Sequence, residues 1–321
     1  MGRDILGLPE RRKLENRRIP VTVCIAAIYN NSSIIGVSDR MITAGDIQFE
    51  PPARKIVPVT NSIAVMTAGD ANIQQQLLAA VSKFIDERLV DDPKTWIPVE
   101  DVANFYRDRY NELNAELAEK AILVPQGLTF ETFLSRQKEM SPEYISDLAY
   151  KLQRYEIDAV EAIVAGIDDT GAHIFTVRNG HISWDDKVGF AAVGIGSNHA
   201  LSHFMLSDFS KDAAESKALL TIHQAKKKSE VSPGVGRDTD MFIAGPKPGT
   251  LNMLEPLPSA GLDIVKDLDG FYEKYRKAII RLDKEVENKI KEYITKIAST
   301  PTEQKAETYE ITEERLSLIH I

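Results

Sequence analysis

The chain has 321 residues, of which 43% are hydrophobic, with a formal net charge of -9 and one cysteine. That length supports one or two domains with a sizeable core, while the acidic balance argues against generic nucleic-acid binding and no apolar run approaches the roughly 18 residues that span a bilayer. A lone cysteine excludes an intrachain disulfide and no Cys/His cluster has zinc-site spacing, so the expectation is a cytoplasmic protein with no metal, no cofactor, and neither nucleic acid nor a membrane as partner.

Residues 1–21 form a basic leader carrying Arg3, Arg11, Arg12, Lys13, Arg17 and Arg18, without helical or strand periodicity. The apolar run Ile5-Leu6-Gly7-Leu8 is too short for a secretory signal. Three readings stay open: a cleaved propeptide, a flexible arm, or upstream sequence translated from a start assigned too early, with Val21 as the true start.

Val21 to Ile28 is a β-rich run, Asn30-Asn31-Ser32-Ser33 has turn chemistry, and Ile34 to Ser38 is a second apolar run. Together they predict a hairpin with Asp39 at its end, opposite the start of the first strand. Lys55 opens another strand. Ser62 to Ala68 is a fourth, ending at Ala68-Gly69-Asp70 where a helix begins. Apolar residues from Ile73 to Ile85 recur at helical spacing up to Pro93, and a second helix carries Val102, Tyr106, Tyr110 and Leu117 behind Glu100-Asp101, acidic residues that suit a helix start. Residues 121–155 read as a helical insertion.

Alternation returns from Ala159 to Ile167 and from His173 to Arg178, around the turn Asp168-Asp169-Thr170-Gly171, and Asn179-Gly180 is a further turn. The strand Phe190 to Val193 leads through Gly194-Ile195-Gly196-Ser197 into a helix carrying Phe204. Another helix runs from Asp212 to Lys228, and Ser232 to Asp240 leads into the strand Met241 to Ala244. Residues 259–315 form a C-terminal extension in which Leu262 to Ile297 is a charged amphipathic helix or helix pair, packing either on a neighbouring subunit or back on its own domain. Residues 316–321 are read as a sequencing artefact and set aside.

A threonine near a strand start (Thr22), a carboxylate (Asp39), a lysine (Lys55) and a glycine amide (Gly69) together suggest amide hydrolysis. Each has a plainer explanation alone. Asp39 could pair with Arg40, Lys55 could be a solvated strand-edge lysine, and Gly69 could be a helix cap. Cys24 reads as strand filling, with a catalytic thiol as the sharper alternative.

The stretches T-V-C-I-A from Thr22 and S-D-R-M-I-T-A-G from Ser38, with Lys55 and Gly69 following in order, resemble the proteasome β-subunit family of N-terminal nucleophile hydrolases, most closely its bacterial Anbu-type branch. The intervals Asp39 to Lys55 and Lys55 to Gly69 match without a gap; Thr22 to Asp39 is one residue longer, which the Asn30 to Ser33 turn can absorb. The resemblance implies an α+β fold, a four-layer αββα sandwich over residues 22–258. It also implies a threonine-type peptidase in which Thr22, first in the mature chain, attacks the scissile carbonyl, with Asp39, Lys55, Gly69 and Asp238 in the site. Peptides or proteins are the implied substrates and rings or open-ring assemblies the implied self-association. Asp240 is the alternative to Asp238. The family's site serine falls on Ile195, which has no hydroxyl, and Val21 stands where family propeptides end in glycine. The other reading the family allows is a noncatalytic ring or scaffold subunit.

Overall fold

The computed structural model describes residues 22–44, 47–50, 54–91, 95–157, 160–256 and 263–299. The basic leader, the closing hexapeptide, and the expectations placed on Val21, Pro93 and Ala159 lie outside them.

The chain opens with the expected hairpin, β1 (Cys24–Tyr29) and β2 (Ser33–Asp39). Asn30 and Asn31 both take positive φ, 48° and 58°, the backbone twist that closes a tight hairpin and that asparagine tolerates. A short hairpin not foreseen from the sequence follows, β3 (Ile42–Ala44) with β4 (Ile47–Phe49), and then β5 (Ile56–Pro58) and β6 (Ile63–Gly69). Helix α1 (Ala71–Asp91) is capped by Asp70, whose Oδ1 accepts the amides of Asn72 and Ile73 at 2.9 and 3.0 Å. Helix α2 (Val99–Ala118) starts beyond Pro98, with Val99 N–H donating to Asp168 Oδ2 at 2.9 Å.

The segment read as an insertion, 121–155, is largely helical. It runs through a π turn (Glu119–Leu123) into α3 (Phe130–Ser135) and α4 (Pro142–Gln153), around its own core of Leu123, Leu128, Phe133 and Leu148. Strands β7 (Val160–Asp168), β8 (Gly171–Arg178) and β9 (His181–Trp184) form a meander, and β10 (Phe190–Val193) leads into α5 (Ser197–Leu206). Helix α6 (Glu215–Ser229), β11 (Thr239–Ala244) and β12 (Asn252–Met253) complete the order, followed by α7 (Ile264–Ser299), which is one continuous helix.

The fold is mixed α+β with two five-stranded antiparallel sheets, ordered β10-β1-β2-β11-β12 and β5-β6-β7-β8-β9. They share one apolar layer: Cys24, Ala26 and Phe242 of the first meet Met66, Ile163 and Ile174 of the second. The other face of the second sheet, through Val65, Val164 and Phe175, packs on Leu77 and Val81 of α1 and on Val102 and Tyr106 of α2. Helices α5 and α6 contact β10, β1 and β2. Every residue of β1 and β2 is buried, the pattern of strands covered on both faces.

Gly36 shows how closely the first sheet is fitted. A Cβ there would come within 2.1 Å of the Phe242 ring, so only glycine lets β2 pass beneath it. The described residues fall into two compact units, one ending at Val265 and the other starting at Lys266. No helix among them is long and apolar enough to cross a membrane.

Candidate active site

Thr22 precedes β1 and is 2% exposed, although a threonine in an open turn would be solvated. Its hydroxyl donates to Asp39 Oδ1 and accepts from the Lys55 ammonium. Lys55 Nζ also reaches Asp39 Oδ1 at 2.8 Å, closing a triangle of hydroxyl, carboxylate and ammonium. The β1–β2 register makes this possible: Cys24 pairs with Ser38 and Asp39 N–H donates to Val23 O, so the end of β2 lies beside the start of β1. Lys55 arrives from the other sheet, fixed by the bond from Thr67 N–H to its carbonyl at 3.0 Å.

Asp39 is fully buried, which would be costly for a carboxylate without donors. Oδ1 accepts the Val23 amide at 2.9 Å besides the threonine hydroxyl and the ammonium, and Oδ2 accepts the amides of Met41 at 3.1 Å and Gly236 at 2.9 Å. Five donors offset the burial and fix the rotamer. Arg40 takes a different partner, with Nη2 2.5 Å and Nε 3.0 Å from Asp240 Oδ1, so the plain Asp39–Arg40 pair does not form. Lys55 is 13% exposed and tied to two site groups, unlike a solvated edge lysine.

The glycine turn after β10 closes over the threonine. Gly194 has φ +87° and a Cβ there would sit 2.4 Å from Thr22 O, while Gly196 N–H donates to that carbonyl at 3.2 Å. Gly194 N–H in turn donates to Glu161 Oε2 at 2.8 Å. Ile195 is partly buried and contributes no hydroxyl, and among the described residues no bond joins Ser197 Oγ to Thr22.

Gly69 ends β6 with φ +121° and lies two residues beyond Thr67, the residue bonded to Lys55 and to the Cys24 thiol. No hydrogen bond joins it to Thr22 among the described residues, and the cap of α1 is the Asp70 carboxylate. Asp238 departs from expectation more clearly. Its side chain is exposed and its amide N–H donates to Glu50 Oε1 at 3.2 Å; the loop reaches the site through the Gly236 amide instead. Asp240 is 4% exposed but is taken up by Arg40 rather than by Arg237 or Thr22. Thr22, Asp39 and Lys55 are thus in mutual contact, and neither aspartate of the 238–240 segment touches them.

Cys24 is strand filling. Its thiol lies between the sheets, donates to Thr67 O at 3.4 Å, and burial raises its pKa, which keeps it protonated.

Three contributors to the site are not evident from residue types and spacing. The Gly236 amide and the Gly194 approach lie in glycine-containing loops, and residue types there do not specify which backbone or side chain the loop meets. Lys226 looks like one of three solvated lysines on α6 yet is fully buried, its ammonium 2.6 Å from both Glu230 Oε1 and Arg237 O, where it pins the loop that carries Gly236. No group of residues able to hold a metal ion occurs among the described residues. No family model matches the chain, and no curated protein matches it.

Proposed function

We propose that the chain is a proteasome-like, threonine-type amide or peptide hydrolase, built on the αββα sandwich of N-terminal nucleophile hydrolases, with Thr22 as nucleophile. The observation that carries this reading is the buried Thr22 hydroxyl held between the Lys55 ammonium and the Asp39 carboxylate. A threonine hydroxyl needs no such arrangement for packing, whereas a nucleophile gains from it.

In the proposed reaction, removal of residues 1–21 frees the α-amino group of Thr22. That amine titrates near 8 in ordinary peptides, so part of it is neutral at physiological pH and can take the hydroxyl proton as Oγ1 attacks the amide carbon. The nearby positive charge of Lys55 stabilises the developing alkoxide. Asp39 holds Lys55 in place and offsets its charge. The Gly69 amide faces the tetrahedral oxyanion in this scheme, an interaction whose loss costs about 3 to 4 kcal/mol of barrier in comparable sites.

Collapse of the intermediate breaks the C–N bond, and the protonated α-amine gives its proton to the leaving nitrogen. Water, deprotonated by the same amine, then attacks the ester carbonyl and releases the carboxylic acid and the threonine hydroxyl. Asp238, exposed and without a bond to Thr22, is left out of the chemical step.

The test is hydrolysis of a panel of fluorogenic peptides by chains beginning at residue 22. Thr22→Ser is expected to keep measurable turnover and Thr22→Ala to lose it. Equal rates for the Ala variant and the parent would defeat the proposal and favour a noncatalytic scaffold.

A further inference from the structure

Helix α7 is long, single and amphipathic, and its apolar residues follow an unusual period. Ile264, Tyr275 and Val286 stand eleven residues apart, as do Leu268, Ile279 and Ile290, and as do Phe271, Leu282 and Tyr293. All nine positions are apolar or aromatic, and their spacing repeats as four, three, four. Eleven residues in three turns is 3.67 per turn, slightly more than the 3.6 of a straight helix, so the stripe keeps to one side along the whole length. A helix that only covered its own domain would not need that register over nine positions. Much of the stripe is exposed: Phe271 and Leu282 are each 58% exposed and Tyr293 is 67% exposed.

From this pattern we infer that α7 is a self-association element, and that its stripe packs antiparallel against the same helix of a second copy of this chain. The period fits a partner helix that twists with it over the same length, and the sequence selects the orientation. From Leu268 to Tyr293 the spacing reads the same in both directions, so an antiparallel pair centred between Ile280 and Arg281 keeps those eight positions in step. Ile279 then meets the partner's Leu282, Tyr275 the partner's Val286, Phe271 the partner's Ile290 and Leu268 the partner's Tyr293. Each aromatic ring faces an aliphatic side chain, which evens out the layer volumes. In a parallel pair in register, Phe271 and Tyr275 would each meet their own copy while Val286 met only Val286.

The flanking charges agree. Antiparallel packing places Arg276 beside the partner's Glu287 and Lys274 beside the partner's Glu285. Parallel packing places Arg276 beside the partner's Lys274 and Asp283 beside the partner's Glu285, like charges in both cases. The two glutamates also pair within the helix, with Lys291 at 2.8 Å and Arg281 at 3.2 Å, but all four side chains are more than half exposed and can be shared.

Cysteine trapping on the full chain tests both the association and its direction, because the native Cys24 is buried. Chains carrying Phe271→Cys and chains carrying Ile290→Cys, mixed and mildly oxidised, are expected to give a covalent heterodimer, while each variant oxidised alone stays uncrosslinked. Self-crosslinking of the Phe271→Cys chain, or no crosslink in the mixture, would overturn the proposal. As a second reading, Leu282→Asp, near the centre of the stripe and exposed in the single chain, is expected to halve the mass found by sedimentation while leaving the far-ultraviolet spectrum unchanged. An unchanged mass would contradict it.

Discussion

A threonine hydroxyl that touches both an ammonium and a carboxylate in a buried site makes Asp39 the most demanding residue of the molecule, since it answers five donors at once. Replacing it with asparagine removes the charge while keeping the shape, leaving the Lys55 ammonium without its counter-ion. Asp39→Asn is expected to destabilise the fold by about 3 kcal/mol in urea unfolding and, on the proposed mechanism, to reduce peptide turnover at least 100-fold. Asp238→Asn, at an exposed carboxylate, is expected to change stability by less than about 0.5 kcal/mol and to leave turnover within about threefold. Equal effects of the two substitutions would mean that the charge on Asp39 carries no special load. At this scale the sequence was informative about the contact set of Thr22, Asp39 and Lys55, because each sits at a strand boundary that periodicity and turn chemistry locate. It could not separate Asp238 from Asp240 or reveal Lys226. Those outcomes depend on which way a loop turns, and residue types alone do not encode that.

At the scale of elements, burial sets the consequences of change. Gly36→Ala on β2 would drive a Cβ into Phe242, and is expected to cost about 3 kcal/mol in chemical denaturation. Gly270→Ala on α7 meets nothing within 4 Å and is expected to stabilise that helix by about 1 kcal/mol, read from its thermal loss of helicity. The α5–α6 contact carries a pH dependence. His203 of α5 is buried, with Nε2 3.1 Å from Gln224 Oε1 and Nδ1 3.0 Å from the Lys228 ammonium on α6. Burial first, and then the Lys228 charge, push its pKa down to about 4 from the usual 6.5. The folded protein therefore holds His203 neutral while the unfolded chain takes up a proton sooner as pH falls. Its stability contribution is complete above pH 6.5 and is lost progressively toward pH 4, by about 3 kcal/mol over that span, and His203→Asn is expected to flatten that part of the profile. The strand pairs and the long helices were legible because alternation, paired asparagines and helical spacing are local signals. The β3–β4 hairpin was not, since two three-residue strands are too short to show a period.

At the scale of the whole molecule, the unit ending at Val265 holds all the residues proposed for chemistry, and the unit beginning at Lys266 holds every position of the stripe proposed for association except Ile264. The functions assigned to the two are therefore separable by experiment: Leu282→Asp is expected to change assembly without abolishing hydrolysis, and Thr22→Ala the reverse. Thr22, once N-terminal, is proposed as the nucleophile, and covalent trapping reads that role out. A chain matured to begin at Thr22 would be treated with a β-lactone, which acylates an activated hydroxyl, and the adduct located by peptide mass spectrometry. One adduct per chain is expected, on Thr22, absent from Thr22→Ala and sharply reduced in Asp39→Asn. An unmodified Thr22 in the matured chain, or a label that persists equally in Thr22→Ala, would contradict it.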